Sequence, residues 1–197
     1  MINNLSFGYG EMYEWADNVL STHNSNESFV KLYGKFVTFD ELNPERIRIA
    51  NQNDKYILGV SSNLTNNVSD NPNEWQGKYL INEVGIPYIS KDYIETGKLC
   101  YDSELELEYI DIKSYYEINS EINSEFDPSK KYVKRSSRKE WVNVILLGKA
   151  IIEDDGSCIP GYFCKSDKNG CATIDNDNKG YYVLSRISKN SIIIVLK

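Results

Sequence analysis

VNVILLGKAII, residues 142–152, is the stretch that says most about the fold of this 197-residue chain. Apart from Asn143, Gly148 and Lys149, every residue in it is apolar. A run of this kind with many β-branched side chains is typical of a strand. Gly148 interrupts the run, and a glycine inside a strand marks a bulge or a close approach of another segment. DDG, residues 154–156, follows as a tight turn. We therefore predict a long strand that ends before this turn.

Shorter strands are predicted on both sides of this segment, because apolar and β-branched residues recur there between turn signals. Their predicted ranges are 35–39, 46–50, 56–61, 181–184 and 192–196. The first two are expected to form a hairpin around Asn43-Pro44, and the last two a hairpin around the loop at 188–191.

The segment around residues 9–20 fits two patterns. Met12, Trp15 and Val19 fall on one face of a helix, whereas Tyr9, Tyr13 and Trp15 fall on one face of a strand together with Glu11. We favour a strand for residues 9–15. The fold class expected from all these segments is mainly β, a compact sheet or barrel-like domain that comprises residues 1–197.

Residues 86–125 differ from the rest of the chain. Apolar residues alternate with glutamates from Glu104 to Tyr109, which predicts a strand with one charged face. The following segment, 115–125, is rich in Ser, Asn and Glu. A projecting arm or hairpin and a surface insertion fit this composition equally well.

Charge and composition limit the partners and cofactors. The net charge is −7. Nucleic acids and anionic membranes are bound through positively charged surfaces, so neither is expected as a partner. Cys158, Cys164 and Cys171 lack the spacing of zinc ligands, and the single histidine, His23, is distant in a polar loop. We therefore predict no metal and no cofactor, and reduced cysteines.

The stretch GYGEMYEW, residues 8–15, is the candidate for chemistry. Glu11 and Glu14 lie three residues apart among aromatic residues and glycines. A carboxylate can act as a general base on water, and tethering supplies the effective concentration for a cut within the same chain. The competing interpretation is that both glutamates are ordinary exposed carboxylates on a surface strand.

Several segments together resemble the autoproteolytic intramolecular-chaperone domains at the C-terminus of phage tailspike and neck-appendage proteins, the second family of glutamic peptidases. These domains carry a segment that reads roughly Asp-Tyr-Ala-Glu, a variable residue, an aromatic residue and Glu-Trp, which GYGEMYEW is similar to. The other matching segments are 34–40, 46–51, 56–61, 74–79, 126–129, 140–141, 147–149, 154–156 and 161–165.

The resemblance implies a function and a site. It implies a homotrimer that guides an upstream β-helical stalk into register and then releases itself by autoproteolysis, with Glu11 as the catalytic residue and Glu14 as a second or orienting carboxylate. The family's cleavage point resembles a Ser-Asp bond, and the aligned residues here are Phe7 and Gly8. Residues 1–7 are then the segment upstream of the cut. The precursor is expected in the host cytoplasm during assembly and then associated with the virion.

Other interpretations remain open. The loss of the Ser-Asp pair favours a non-cleaving trimerisation and chaperone module, and Ser6 is a displaced candidate for the missing hydroxyl. Trp75 and its neighbours suggest a sugar-binding surface, although a packed Trp at a turn is favoured. The basic residues between Lys130 and Lys139 are expected to form a solvated edge or a subunit contact with the acidic segment 102–108.

Overall fold

The computed structural model describes residues 8–23, 25, 30–64, 67–69, 75 and 77–197. The chain divides into two compact units. The first, which we call the barrel unit, contains the described parts of Met1–Pro72 together with Val133–Lys197. The second, the arm unit, contains the described part of Asn73–Tyr132. None of the helices among the described residues is long and apolar enough to span a membrane.

Strands dominate both units. In the barrel unit the elements are β1 (Tyr9–Trp15), α1 (Asp17–Thr22), β2 (Phe36–Phe39), β3 (Arg46–Ile49), β4 (Gly59–Ser62), β5 (Asn67–Ser69), a 3₁₀ turn (Arg135–Ser137), β8 (Trp141–Glu153), β9 (Phe163–Ser166), β10 (Ala172–Ile174), β11 (Tyr181–Ser188) and β12 (Ser191–Leu196). In the arm unit they are β6 (Ile89–Asp102) and β7 (Leu107–Ser120).

Strand β8 organises the barrel unit because its two halves belong to different parts of the sheet. Its first half pairs with β1 and β4, and pairing continues through β2 and β3 back to β1, which closes a five-stranded barrel. Its second half pairs with β12, and β11, β9 and β10 continue the sheet from there. A strand that pairs in both the barrel and the continuing sheet must be long and apolar, which is what the sequence of residues 142–152 predicted.

Two hydrophobic clusters form the core of the barrel unit. One contains Trp15 with Ile47 and Val144, and the other contains Phe36 with Ile152 and further apolar residues of β11 and β12. Trp15 and Phe36 are fully buried. Burial of side chains of this size contributes about 1.5–3 kcal/mol each to folding, so the two clusters hold β1 and β2 in place against β8.

The arm unit is built on one hairpin. Strands β6 and β7 pair antiparallel along their whole length, from Ile89 opposite Ser120 to Asp102 opposite Leu107. Most side chains of both strands are exposed. The hairpin predicted around 86–125 is therefore present, but residues 103–106 form its turn rather than a strand, and Glu106 adopts φ 50° there.

Most of the predicted strands are confirmed, with changes at their ends. Residues 9–15 form a strand, and the apolar positions that suggested a helix belong to β1 and then to α1. Strands β2 and β3 form the expected hairpin, as do β11 and β12. The strand predicted at 56–61 begins only at Gly59. The mainly β, barrel-like fold class is confirmed.

A partly buried ion pair between Arg48 of β3 and Asp54 gives the stability of the barrel unit a dependence on pH. The Arg48 guanidinium makes two hydrogen bonds to the Asp54 carboxylate, at 2.8 and 2.9 Å, and lowers the pKa of that carboxyl. Because the pKa is depressed in the folded state, the stabilisation is present at neutral pH and is lost as the pH falls below about 4 and through the folded-state pKa.

We expect Asp54→Asn to lower the free energy of unfolding at pH 7 by about 1.5–3 kcal/mol and to flatten its decline between pH 5 and about pH 3. Urea unfolding at a series of pH values measures both effects. Glu41→Gln is the matched control, because Glu41 contacts the same Arg48 at 3.3 Å with a side chain that is 85% exposed. Equal pH profiles for all three proteins would contradict a specific role for Asp54.

Candidate active site

Glu11 is held by two hydroxyl groups. Its carboxylate accepts a hydrogen bond from Tyr13 Oη to Oε2 at 2.9 Å and one from Ser69 Oγ to Oε1 at 3.1 Å. Tyr13 lies on the same strand, and Ser69 lies directly opposite Glu11 on the parallel neighbour β5. The carboxylate is half-buried, so it keeps a fixed orientation while remaining open to water. An oriented carboxylate that is open to water can act as a general base.

Glu14 has a different environment. Its carboxylate forms an ion pair with Arg46 at 3.0 Å, and Arg46 also pairs with Asp17 at the start of α1. Residues three apart on a strand point to opposite faces, so the carboxylates of Glu11 and Glu14 are not brought together. The role of Glu14 as a second or orienting carboxylate remains a prediction.

Gly8 lies in close contact with β8. Its N–H donates a hydrogen bond to the carbonyl of Lys149 at 3.0 Å. A Cβ atom built on Gly8 would lie 1.9 Å from the carbonyl oxygen of Leu147, and a Cβ atom on Gly148 would lie 2.9 Å from Gly8 Cα. The close approach predicted at Gly148 is confirmed, and Gly148 has the φ of +94° that glycine tolerates. Phe7 and Ser6 lie outside the described residues.

A buried amide lies beside the same strand. Asn143 is 9% exposed, and neither its Oδ1 nor its Nδ2 has a hydrogen-bond partner among the residues that the structure describes. A Cβ atom on Gly10 would lie 2.5 Å from Asn143 Oδ1, so the amide occupies the space that a side chain would fill. Our sequence reasoning missed this residue. The signal was available, because Asn143 is the one amide in an otherwise apolar run.

Trp75 and Arg135, two further candidates from the sequence, pack against aromatic rings. Trp75 packs edge-on against Tyr132, with ring centroids 5.2 Å apart, and its Nε1 donates to the carbonyl of Lys130 at 3.3 Å. Arg135 is buried with its guanidinium 3.8 Å from the ring centroid of Trp141, so this member of the basic cluster is not part of a solvated edge. The described residues contain no group of three or more His, Cys, Asp or Glu side chains placed to hold a metal ion.

The contact at Gly8 predicts a large effect of a single methyl group. We expect Gly8→Ala to reduce the free energy of unfolding by about 3 kcal/mol, because its Cβ meets a backbone carbonyl that can move only with β8. Gly156→Asn is the control, since nothing lies within 4 Å of a Cβ at Gly156 and Asn tolerates its left-handed backbone, so a loss of about 1 kcal/mol or less is expected. Chemical denaturation of the isolated domain measures both. Equal losses would show that the strand pair relaxes around the methyl group.

The fold and the site together define a class of protein: a mainly β domain with an oriented carboxylate on β1, three residues after a glycine that contacts the central strand β8. The family model described as Peptidase_G2, IMC autoproteolytic cleavage domain, matches residues 3–191. The chain belongs to this family.

Curated relatives are phage proteins. The pre-neck appendage protein of Bacillus phage B103 is 28% identical over 166 residues, which cover 84% of this chain and 16% of that protein. The preneck appendage protein of Bacillus phage PZA is 29% identical over 128 residues, or 65% of this chain and 13% of that protein. The chain thus spans a small part of the length of both relatives.

Two solved structures share the fold. The pre-mature bacteriophage phi29 gene product 12 matches with a TM-score of 0.67 and 22% identity over 98% of this chain and 22% of that one. A C-terminal fragment of the same gene product matches with a TM-score of 0.61 and 23% identity, covering 96% of this chain and 99% of the fragment. The resemblance stated from sequence is confirmed at the level of family and fold.

Proposed function

We propose that this chain is the C-terminal folding domain of a phage appendage protein, which assembles three copies of an upstream β-helical stalk and then cuts itself away near Phe7-Gly8. The family match and the phage relatives support the general assignment. The number of three comes from the family resemblance. The observation that carries the assembly role is the arm hairpin, which exposes several large apolar side chains on one face, together with the charged Lys91, Glu95 and Glu108.

The register of the hairpin sorts its side chains into two faces. Directly paired residues of antiparallel strands point to the same face, so Tyr93 with Tyr116, and Leu99 with Ile110, share one face. We call this the apolar face. Its large exposed side chains, each more than half exposed, are Ile89, Tyr93, Leu99, Tyr101, Ile110, Ile112, Tyr116 and Ile118.

The opposite face is more polar. It pairs Asp92 with Glu117 and Lys98 with Asp111, and it also carries Leu107, Tyr109 and Tyr115. A two-stranded hairpin is only marginally stable alone, and a large exposed apolar patch marks a surface that binds another chain. The apolar face therefore supports contact with other copies and with the stalk. A folding domain that joins three copies raises the local concentration of their stalk ends and fixes their alignment.

The cleavage step uses the half-buried carboxylate of β1. Glu11 takes a proton from a water molecule, whose oxygen attacks the carbonyl carbon of Phe7. Glu11 then delivers that proton to the amide nitrogen of Gly8, which leaves as a new amino terminus. The hydrogen bonds from Tyr13 and Ser69 support this role by fixing the carboxylate, and tethering removes the need to bind a separate substrate.

The contact at Gly8 supports a second candidate function, in which the domain trimerises and acts as a chaperone but does not cut itself. The family's cleavage point carries an Asp where this chain has Gly8, and the space that an Asp Cβ would need is occupied by the Leu147 carbonyl. The Gly8 N–H also belongs to the contact with β8. In this case the domain stays attached to the stalk, and Glu11 is retained from a cleaving ancestor but no longer catalyses cleavage.

The cellular context follows from the same proposal. The precursor assembles in the host cytoplasm and is then associated with the virion. Its partners are two further copies of itself and the stalk, and neither nucleic acid nor membrane, which agrees with the net charge of −7.

The assembly role is tested by expressing a β-helical stalk segment with and without this domain at its C-terminus. The proposal predicts a protease-resistant trimeric stalk only when the domain is present, measured by light scattering and limited proteolysis. A stalk that trimerises equally well alone would contradict it. Intact mass of the same samples separates the cutting domain from the non-cutting one.

A further inference from the structure

Lys35, Cys171 and Glu153 form a compact cluster in the barrel unit, distant in sequence from the β1 site. Lys35 Nζ lies 2.9 Å from Cys171 Sγ and 2.5 Å from Glu153 Oε2. Cys171 Sγ lies 3.9 Å from the same carboxylate oxygen. The amine, the thiol and the carboxylate therefore meet at one point, and neither the assembly role nor the cleavage step uses them.

The backbone holds both reactive side chains in place. The N–H of Lys35 donates to Ser61 Oγ at 3.1 Å just before β2. The N–H of Cys171 donates to Asp167 Oδ1 at 2.8 Å just before β10. Glu153 is the last residue of β8. The three groups thus extend from the starts of β2 and β10 and from the end of β8, so their approach follows from the fold of the backbone.

The cluster is partly shielded from solvent but remains accessible to small molecules. The Lys35 side chain is 13% exposed, Cys171 is partly buried, and the Glu153 side chain is 51% exposed. Burial raises the pKa of the Cys171 thiol against the opposing effect of Lys35. Burial alone would lower the pKa of Lys35, but its hydrogen bonds with Cys171 and Glu153 outweigh this and raise it. The resting cluster is therefore an ammonium and a thiol beside the Glu153 carboxylate.

We propose that Lys35 and Cys171 become joined through one oxygen atom, as a covalent N–O–S bridge, when the folded domain is exposed to dioxygen. The short distance between nitrogen and sulfur leaves room for a single bridging atom and excludes a wide insertion. Glu153 takes up the proton of the ammonium and frees the amine lone pair for bond formation.

The reaction balances with dioxygen as the only oxidant. The Cys171 S–H bond, one N–H bond of the neutral Lys35 amine and the O–O bond break. One S–O bond and one N–O bond form, and the second oxygen atom leaves as water with the two hydrogen atoms. Sulfur and nitrogen each give up two electrons, and dioxygen accepts all four.

The bridge would fasten distant parts of the chain. Its two residues are 136 positions apart in sequence, and it would tie the start of β2 to the loop before β10. A cross-link over a long loop reduces the conformational freedom of the unfolded chain. The bridged domain is therefore expected to unfold at a higher temperature than the reduced one.

The test is intact mass of the purified domain before and after exposure to air, with and without dithiothreitol. The proposal predicts a gain of one oxygen and a loss of two hydrogens, reversed by the reductant together with the rise in the unfolding temperature. Digestion of the oxidised wild type should give one cross-linked product containing Lys35 and Cys171, with no tryptic cut after Lys35. Because this mapping uses the wild type, it does not depend on any variant folding.

Matched variants complete the test. Lys35→Arg and Cys171→Ser are expected to stay free of the bridge, whereas Lys165→Arg and Cys100→Ser should form it as the wild type does. Glu153→Gln should slow bridge formation several-fold, and an unchanged rate would overturn the part given to Glu153. An unchanged wild-type mass, a gain of oxygen without loss of hydrogen, or a disulfide in place of the bridge would overturn the proposal.

Discussion

A double variant of the apolar face, Leu99→Asp with Ile112→Asp, is expected to convert the proposed trimer into monomers while the barrel unit stays folded. Both side chains are about 60% exposed or more in the single chain, so the substitutions bury no charge within it. In an assembly through this face, each Asp would be desolvated against apolar partners. At about 2 kcal/mol per residue, association would weaken by roughly 10³-fold.

The matched control places the same charges on the opposite face of the hairpin. Leu107→Asp with Tyr109→Asp changes two apolar residues that are 59% and 52% exposed. This control is expected to associate as strongly as the wild type does. Light scattering across a concentration series measures both variants, and circular dichroism checks that the strands persist. If both double variants dissociate alike, the loss comes from a weakened hairpin and the apolar face has no special role.

Glu11→Gln is expected to slow self-cleavage of a stalk fusion by about 10²–10⁴-fold, the contribution of a positioned general base. Gln has nearly the same shape as Glu, and its side-chain oxygen can still accept a hydrogen bond from Tyr13 or Ser69. The β1 strand should therefore keep its place, and the loss should fall on the chemical step. The rate is measured from intact mass over time after purification.

Glu14→Gln is the control for this experiment. It removes a carboxylate three residues away whose partner is Arg46, and a much smaller loss of rate is expected. Equal losses in the two variants would place Glu14 in the catalytic machinery or show that a damaged β1 is responsible. Cleavage of Glu11→Gln at the wild-type rate would remove Glu11 from the mechanism.

The sequence predicted where strands lie better than it predicted which strands pair with each other. Residues 142–152 carry a local signal, so β8 was predicted nearly to its ends. The closure of the barrel depends on β8 pairing with β1, which brings together residues more than a hundred positions apart, as Gly8 and Lys149 show. Local periodicity holds no information on such pairing. The barrel-like prediction came from composition and resemblance.

The site shows the same division between local and long-range information. Glu11 was predicted from a local motif, but its hydrogen bond from Ser69 depends on a parallel pairing that no local pattern indicates. Asn143 was overlooked because a single amide does not change the character of an apolar strand. The alternation of glutamates with apolar residues from Glu104 to Tyr109 predicts a strand, but 104–106 belong to the turn and the strand begins at Leu107, because alternation alone does not distinguish a strand from the end of a hairpin.

Intact mass of the wild-type domain behind a β-helical stalk segment tests the central claim most directly. Self-cleavage at Phe7-Gly8 predicts two products whose masses together equal that of the fusion plus one water, and the C-terminal product begins at Gly8. A single uncut chain that is nevertheless trimeric would contradict self-cleavage and leave the non-cutting chaperone domain. A cut at another bond would contradict the assignment of Phe7-Gly8.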